Sequence, residues 1–208
     1  MAAPPQTLSL ADFIEWEALQ ESKHEYSAGC ISLFPGGTLR HAALAGEIHA
    51  ILLAHLRGTR CRPFIMDVLT TTEYSARYPD VVVTCDERDT SDLSRRTLNH
   101  PKLIVEILSE STEAVDCGAK LDEYRSIATL EEYVLLDSRR RWAAAYRRAE
   151  NGWLTALPMA TGLLELTSVG AILDLDELYE GVGLPEAVRP TASACSKRKA
   201  RDVRSLEA

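Results

Sequence analysis

Hydrophobic residues recur at helical spacing in two stretches of the chain. Between His41 and Arg57 they repeat every three to four residues, and Gly58 follows where a helix commonly ends with glycine. A second pattern of the same period begins after Ser9, a residue type that caps helix N-termini, and its helix is expected to end near Ser22. The sequence therefore predicts a long helix over 41–57 and a shorter one near the N-terminus.

Runs of β-prone residues predict the strands. Residues 24–34 carry two short runs of this kind, which indicates a hairpin. Three longer runs cover residues 61–71, 79–85 and 102–109, and the last two are almost continuously apolar, as central strands covered on both faces are. The charged segment 86–99 between those two strands is predicted to be a loop.

The order of elements in the second half of the chain indicates an α/β fold. A helix is predicted over 116–127, between the strand at 102–109 and a strand at 131–137, and a further strand follows at 142–148. Strand, helix, strand is the pattern of a parallel crossover. Residues 152–183 are predicted to form short strands and a small helix.

Composition and charge narrow the classes of function. The 208 residues are 46% hydrophobic, which suits one domain over residues 1–185, while the Lys/Arg-rich residues 186–208 hold few large apolar residues and are predicted to be disordered. A net charge of -8 excludes a protein surface that is basic all over, so binding of DNA would require a local basic patch.

No stretch has the pattern of a signal peptide or the length of a membrane span, so we expect a cytoplasmic protein that does not bind membranes. The cysteines Cys30, Cys61, Cys85, Cys117 and Cys195 lack CxxC spacing, which argues against a disulfide framework and a zinc site.

Two acidic residues lie in otherwise apolar strands. Asp80 begins the run PDVVV, and Glu106 stands inside LIVEIL. Burial of a carboxylate costs several kcal/mol unless hydrogen bonds, a cation or a metal compensate it. A divalent cation such as Mg²⁺ is one such partner. The alternative, left open by the pattern, is that each carboxylate caps a strand or pairs with an arginine.

Lys120 lies on the predicted helix that follows the Glu106 strand. Asp116, Lys120 and Tyr124 are spaced i, i+4, i+8 and so share one helix face. If this face packs over the end of the strand, the ammonium reaches Asp80 and Glu106. The alternative for a single helical lysine is a position on a solvated face.

A set of short motifs resembles one bacterial family. The resemblance covers roughly Leu8 to Leu184. It rests on Tyr78-Pro79-Asp80, Val105-Glu106-Ile107-Leu108-Ser109 with Ser111-Thr112, Asp116, Lys120 and Tyr124, together with His24-Glu25-Tyr26, Gly29 and Arg40-His41 upstream. These residues resemble the Uma-two family of the restriction-endonuclease-like PD-(D/E)xK nuclease superfamily. The resemblance implies an α/β fold with a mixed β-sheet flanked by helices.

The resemblance also implies a catalytic set. Asp80, Glu106 and the backbone carbonyl of Ile107 would hold Mg²⁺ or Mn²⁺, and Lys120 would orient the attacking water and stabilise negative charge. The usual superfamily lysine stands two residues after the glutamate, where this chain has Leu108. The resemblance therefore implies that Lys120 has taken over that role.

Three accessory residues follow, each with a structural alternative. Glu25 is a candidate extra carboxylate or a salt-bridged surface residue. His41 is a candidate site residue at a helix start or a structural histidine. Tyr124 would hold Lys120 or a water, or would belong to the core. The arginines near the turn after residue 137 are a candidate phosphate contact or a charged turn.

The leading function is a divalent-metal-dependent DNA endonuclease, for which the superfamily allows a homodimer. One alternative is a non-catalytic module that binds nucleic acid or a protein partner on the same fold, and another is a phosphodiesterase acting on RNA or small nucleotides. A nucleophilic hydrolase and an NTPase are disfavoured, because GxSxG, GxxxxGK[ST] and GxGxxG do not occur.

Overall fold

The computed structural model describes residues 8–34, 36–155 and 158–184. Its helices are α1 (Leu10–Glu17), α2 (Leu39–His55), α3 (Glu87–Thr90), α4 (Glu113–Asp116), α5 (Ala119–Arg125) and α6 (Leu175–Glu180). Its strands are β1 (His24–Ser27), β2 (Cys30–Leu33), β3 (Arg62–Ile65), β4 (Leu69–Thr71), β5 (Ser75–Arg77), β6 (Val81–Thr84), β7 (Thr97–Leu98), β8 (Pro101–Leu108), β9 (Glu132–Asp137), β10 (Ala143–Ala149), β11 (Gly152–Thr155), β12 (Leu163–Leu166) and β13 (Ala171–Asp174).

A six-stranded mixed sheet forms the centre of the fold. Its strand order is β11-β10-β9-β8-β6-β3, with β8 and β9 parallel and the other pairs antiparallel. The parallel pair confirms the predicted crossover, in which α4 and α5 connect β8 to β9. One face packs against α2 and α6, and the other packs against α5. The mixed sheet flanked by helices is thus present.

A second sheet lies beside the first and carries the N-terminal hairpin. Its order is β2-β1-β5-β4-β7, and α1 packs with it around Phe13 and Tyr26. The predicted hairpin is confirmed as β1 and β2. Its two turn residues, Ala28 and Gly29, both have positive φ, as a tight turn between twisted strands requires.

The two predicted N-terminal helices are confirmed with shifted ends. Thr38 caps α2, so this helix begins two residues before His41 and ends at His55. Ser9 caps α1 through its hydroxyl oxygen, which accepts from the Asp12 backbone N–H. The α1 helix ends at Glu17 and not near Ser22, and the exposed Leu19 lies beyond it.

Residues 61–99 depart most from the sequence expectation. The single β-run predicted over 61–71 is split into β3 and β4, which belong to different sheets. The segment predicted to be a charged loop contains α3 and β7, and β5 precedes it. All three elements are four residues or shorter, so none presents a full period of hydrophobic alternation.

The helix predicted over 116–127 is broken. Its residues are divided between α4, which ends at Asp116, and α5, which begins at Ala119. Gly118 lies at the break with a non-helical backbone, and a Cβ there would lie 2.7 Å from the Ala114 carbonyl oxygen. The close approach of these two backbones explains both the glycine and the break.

Cys61 and Cys85 form a disulfide, which corrects the expectation drawn from the cysteine spacing. Cys61 and Cys85 lie next to the paired residues Arg62 and Thr84 at the same end of the antiparallel pair β3 and β6, so the sheet brings them together across 24 residues of sequence. Within the described ranges no helix is both long and apolar enough to cross a membrane. The tail predicted to be disordered, residues 186–208, lies outside the described residues.

Candidate active site

A cleft opens where β6 begins and β8 ends. Its empty space, open solvent included, is about 460 Å³. The residues that line it are Phe34, Gly36, Gly37, His41, Met66, Asp80, Glu106, Ile107, Ser109, Ser111, Thr112, Asp116 and Lys120. All three predicted catalytic residues, Asp80, Glu106 and Lys120, are in this set.

Strand register brings the two carboxylates together. Val81 of β6 stands opposite Val105 of antiparallel β8, so the next position along each strand places Asp80 opposite Glu106. The Asp80 backbone N–H points at Glu106 Oε2, with a distance of 3.4 Å between nitrogen and oxygen. Both side chains are buried, with 4% and 2% of the residue surface exposed.

Asp80 is held by the β8 backbone and by α2. Its Oδ2 accepts a hydrogen bond from the Ile107 N–H at 2.7 Å and lies 3.2 Å from His41 Nε2. Burial disfavours the charged imidazole, but the hydrogen bond and charge of Asp80 outweigh it and raise the pKa of His41. Gly37 leaves room for this ring, because a Cβ there would lie 2.7 Å from His41 Nδ1.

Glu106 receives two donors from α5. Its Oε1 accepts from Lys120 Nζ at 3.0 Å and from the Tyr124 hydroxyl at 3.0 Å. Lys120 and Tyr124 are one helical turn apart, so a single face of α5 delivers both groups. Burial and the Glu106 charge raise the pKa of Tyr124 far above its ordinary value, so the phenol stays a donor.

Lys120 is buried among three carboxylates. Its Nζ lies 3.0 Å from Glu106, 3.2 Å from Asp116 Oδ1 and 3.5 Å from Glu25 Oε1. Burial alone would lower the pKa of Lys120, but these charges outweigh it and raise the pKa well above its ordinary value. The ammonium is therefore charged, and the solvated-face alternative is wrong.

The cluster holds more carboxylates than cations. Burial raises the pKa of Glu106 well above its ordinary value; Lys120 opposes this, and the charges of Asp116, Asp80 and Glu25 add to it. Burial likewise raises the pKa of Asp116, again against the effect of Lys120. The charge of Lys120 thus offsets only part of the cost of burying Glu106 and Asp116, so a further positive charge bound at this site would be favourable.

A second buried network fixes Glu25 and ties the second sheet to α5. Arg77 of β5 donates to both oxygens of Glu123 on α5, at 2.8 Å each, and to Glu25 Oε2 at 3.1 Å. The Tyr78 N–H donates to Glu25 Oε1 at 3.0 Å. Glu25 is therefore salt-bridged but buried, which corrects the surface alternative and brings a third element, β1, to Lys120.

The structure also defines the contacts of charged residues that are not among the predicted catalytic and accessory residues. Asp116 lies in the cleft and contacts Lys120; the i, i+4 spacing predicts that the two residues share a helix face but predicts no role for the carboxylate. Arg77 and Glu123 carried no sequence signal. Arg139 and Arg140 pair with Glu113 and Asp137, which favours the charged-turn interpretation.

The chain is similar to a known protein family, to proteins of Synechocystis and to a solved structure. Residues 10–175 match the family Uma2, described as "Putative restriction endonuclease". "Uncharacterized protein slr1290" of Synechocystis sp. is 34% identical over 186 residues, which cover 87% of this chain and 96% of that protein. A second Synechocystis protein, "Uncharacterized protein sll1609", is 29% identical over 139 residues, or 66% of this chain and 78% of that one.

A solved structure supports the fold. The crystal structure of "a putative nuclease belonging to DUF820" from Anabaena variabilis superposes with a TM-score of 0.70 at 19% sequence identity, over 84% of this chain and 99% of that one. This likeness confirms the restriction-endonuclease-like arrangement of a mixed sheet flanked by helices. Because the family match spans most of the described residues, the chain belongs to the Uma2 family, which the motifs around Asp80 and Glu106 had indicated.

Proposed function

We propose that this protein is a divalent-metal-dependent nuclease that hydrolyses phosphodiester bonds in DNA. The observation that carries the proposal is a buried ammonium, Lys120, hydrogen-bonded to Glu106 on the floor of a cleft that Asp80 shares. Membership of the Uma2 family and the nuclease description of its structural neighbour support the same class of activity.

The donor set suits a hard divalent cation. Among the described residues no three His, Cys, Asp or Glu side chains form a ready-made metal cage. Mg²⁺ does not require one, because it is bound through one or two carboxylates, with waters and substrate phosphate oxygens as its other ligands. Asp80, Glu106 and the carbonyl of Ile107 would hold the ion, whose charge would oppose the burial and the neighbouring carboxylates that raise the pKa of Glu106.

A bound Mg²⁺ or Mn²⁺ would supply Lewis-acid polarisation of the phosphoryl group and a water of lowered pKa. The remaining roles fall to the chain itself. Lys120 would donate to the attacking water or to a phosphoryl oxygen as charge develops there. Tyr124 donates to Glu106, which contacts that ammonium, Glu25 contacts the ammonium directly, and His41 would orient the Asp80 carboxylate.

The second candidate function is a binding module without turnover. It is favoured by the contacts of Lys120 with three carboxylates, because an ammonium held in this way must give up a partner before it can donate to substrate.

The DNA partner, the homodimer and the single-domain boundary at residue 185 remain predictions. Light scattering of the purified protein would test the homodimer.

Cleavage assays test the proposal. Plasmid, linear duplex, branched and single-stranded DNA, and RNA, would be incubated with Mg²⁺, Mn²⁺ or EDTA. Asp80→Asn and Lys120→Met should each lower the metal-dependent rate by about 10²-fold or more. Asp92→Asn, which alters an exposed aspartate, and Lys102→Met serve as matched controls. Activity that survives Asp80→Asn would contradict the assigned site, and a parent that cuts nothing in any metal would favour the binding module.

A further inference from the structure

The lining of the cleft includes two apolar side chains and three hydroxyl side chains. Phe34 and Met66, both half-buried, are the apolar residues. The hydroxyl residues are Ser109, Ser111 and Thr112, and the Ser109 hydroxyl lies within hydrogen-bond distance of the other two. We call the Phe34–Met66 pair the apolar lip.

The apolar lip is connected directly to the catalytic floor. The Met66 N–H donates to the Asp80 carbonyl at 3.2 Å, and Met66 has a φ of 53°, a left-handed conformation that costs a non-glycine residue free energy. Lys23 Nζ donates to the Met66 carbonyl at 3.0 Å and stands 5.9 Å from the centre of the Phe34 ring. Lys23 thus joins the two lip residues and holds them in place beside Asp80.

The groups that would act on a phosphate are recessed behind this lip. Asp80, Glu106 and Lys120 are each at most 4% exposed, so a phosphate must enter the cleft to reach them. A phosphate in a paired duplex is held in a stiff, stacked backbone. A phosphate in an unpaired strand can bend inward, because its base is free to leave the stack.

We propose that the cleft takes an unpaired nucleotide, with its base against Phe34 and Met66 and its phosphate at the carboxylates and Lys120. This rests on the proposed nuclease function and names its substrate class as single-stranded DNA or an unpaired segment of DNA. An aromatic ring receives any base through its π-face, so the lip recognises the unpaired state and not a sequence.

Binding measurements test the lip without requiring turnover. Fluorescence anisotropy would compare a labelled single-stranded oligonucleotide with its duplex in Ca²⁺, which takes the same oxygen ligands as Mg²⁺, with DNA integrity checked on a denaturing gel. The parent should prefer the single strand about tenfold or more. Phe34→Ala should weaken single-strand binding about 5- to 150-fold and leave duplex binding unchanged.

Two further variants separate stacking from loss of structure. Phe34→Tyr keeps the ring and should bind the single strand like the parent, whereas Phe34→Leu keeps apolar bulk and should bind as weakly as Phe34→Ala. The matched control is Phe64→Ala, which alters a half-buried phenylalanine away from the cleft, packed against the apolar cluster between the central sheet and α5. Circular dichroism and thermal unfolding would verify that each variant folds.

The outcomes distinguish this inference from the function on which it rests. Equal binding of single strand and duplex, or a Phe34→Leu variant that binds like the parent, would overturn the inference, even if metal-dependent cleavage is observed. Ring-dependent binding of the single strand, with no cleavage in Mg²⁺ or Mn²⁺, would uphold the lip and overturn the nuclease. Cleavage that prefers unpaired DNA and falls in parallel with binding in Phe34→Ala would support both.

Discussion

Neutralising Glu106 should stabilise the metal-free protein, although Glu106 stands at the centre of the proposed site. Glu106, Asp116 and Glu25 surround the single ammonium of Lys120, and burial raises the pKa of Glu106 well above its ordinary value. At neutral pH the fold therefore carries the cost of burying the Glu106 carboxyl group, whose charge the unfolded chain exposes to water. Glu106→Gln removes this charge with almost no change of shape and leaves Lys120 two carboxylates.

The magnitude follows from the linkage between pKa and stability. Each unit by which folding raises the pKa of a carboxyl group corresponds to about 1.4 kcal/mol lost when that group is ionised. We expect Glu106→Gln to raise the free energy of unfolding at pH 7 in EDTA by about 1 kcal/mol or more, the scale of a single pKa unit. Lys120→Met should do the opposite: it leaves the carboxylates with no ammonium, and breaking a buried ion pair in this way costs about 3–5 kcal/mol.

Urea unfolding of both variants in EDTA, followed by circular dichroism, measures the two changes. The same samples would be heated with and without Mn²⁺. At a concentration of 100 times Kd, a ligand that binds only the folded state stabilises it by about 2.7 kcal/mol, or about 5–11 °C for a chain of this size. The parent should gain this increment, and Glu106→Gln should lose it. If Glu106→Gln destabilises the metal-free protein as much as Lys120→Met, the two residues form a balanced pair and the reasoning from excess charge is wrong.

Three further predictions concern the surroundings of this cluster. The pKa values of Glu106, Asp116 and His41 are raised in the folded state, so the native protein binds more protons than the unfolded chain. The free energy of unfolding in EDTA should therefore rise as the pH is lowered from 8 towards 6. Urea unfolding midpoints measured at each pH check this, and a flat profile would contradict it. Gly37→Ala places a Cβ 2.7 Å from His41 Nδ1 and should lower the cleavage rate about 10²-fold, whereas Gly36→Ala, with nothing within 4 Å of its Cβ, should leave the rate unchanged. Arg77→Met should lower the free energy of unfolding by about 3–5 kcal/mol in urea titrations, and a change no larger than that of the exposed variant Arg88→Met would show that the buried network is not stabilising.

The floor of the site could be predicted because its strands are long and apolar. Asp80 and Glu106 interrupt hydrophobic runs, and an interruption of this kind is visible without a structure. The antiparallel pairing of β6 with β8 then sets the two residues opposite each other. Lys120 could be predicted for a related reason: a helix between two parallel strands packs over the sheet, so a face of that helix must point at the strands.

The surroundings of the floor could not be predicted, because they depend on pairing between distant segments. Arg77 lies on a three-residue strand and meets Glu25 and Glu123 across 52 and 46 positions of sequence. A segment of that length has no measurable period, and charged residues give no indication of burial when taken singly. The second sheet, which carries Glu25 to Lys120, could therefore be recognised only as an isolated hairpin.

The position of Leu108 gives a physical reason for the proposed nuclease to take its lysine from a helix. Side chains alternate along β8, so Ile104, Glu106 and Leu108 share the face that α5 covers. Leu108 is fully buried in the apolar cluster with Leu121 of α5, so a lysine at this position would remove a core side chain and bury an ammonium in its place. With Lys120 on α5, the strand keeps its core residue and the cleft still receives an ammonium 3.0 Å from Glu106. The proposed chemistry at a phosphate requires the charge at that point in space, and α5 can supply it there without the loss of packing that the same charge on β8 would cause.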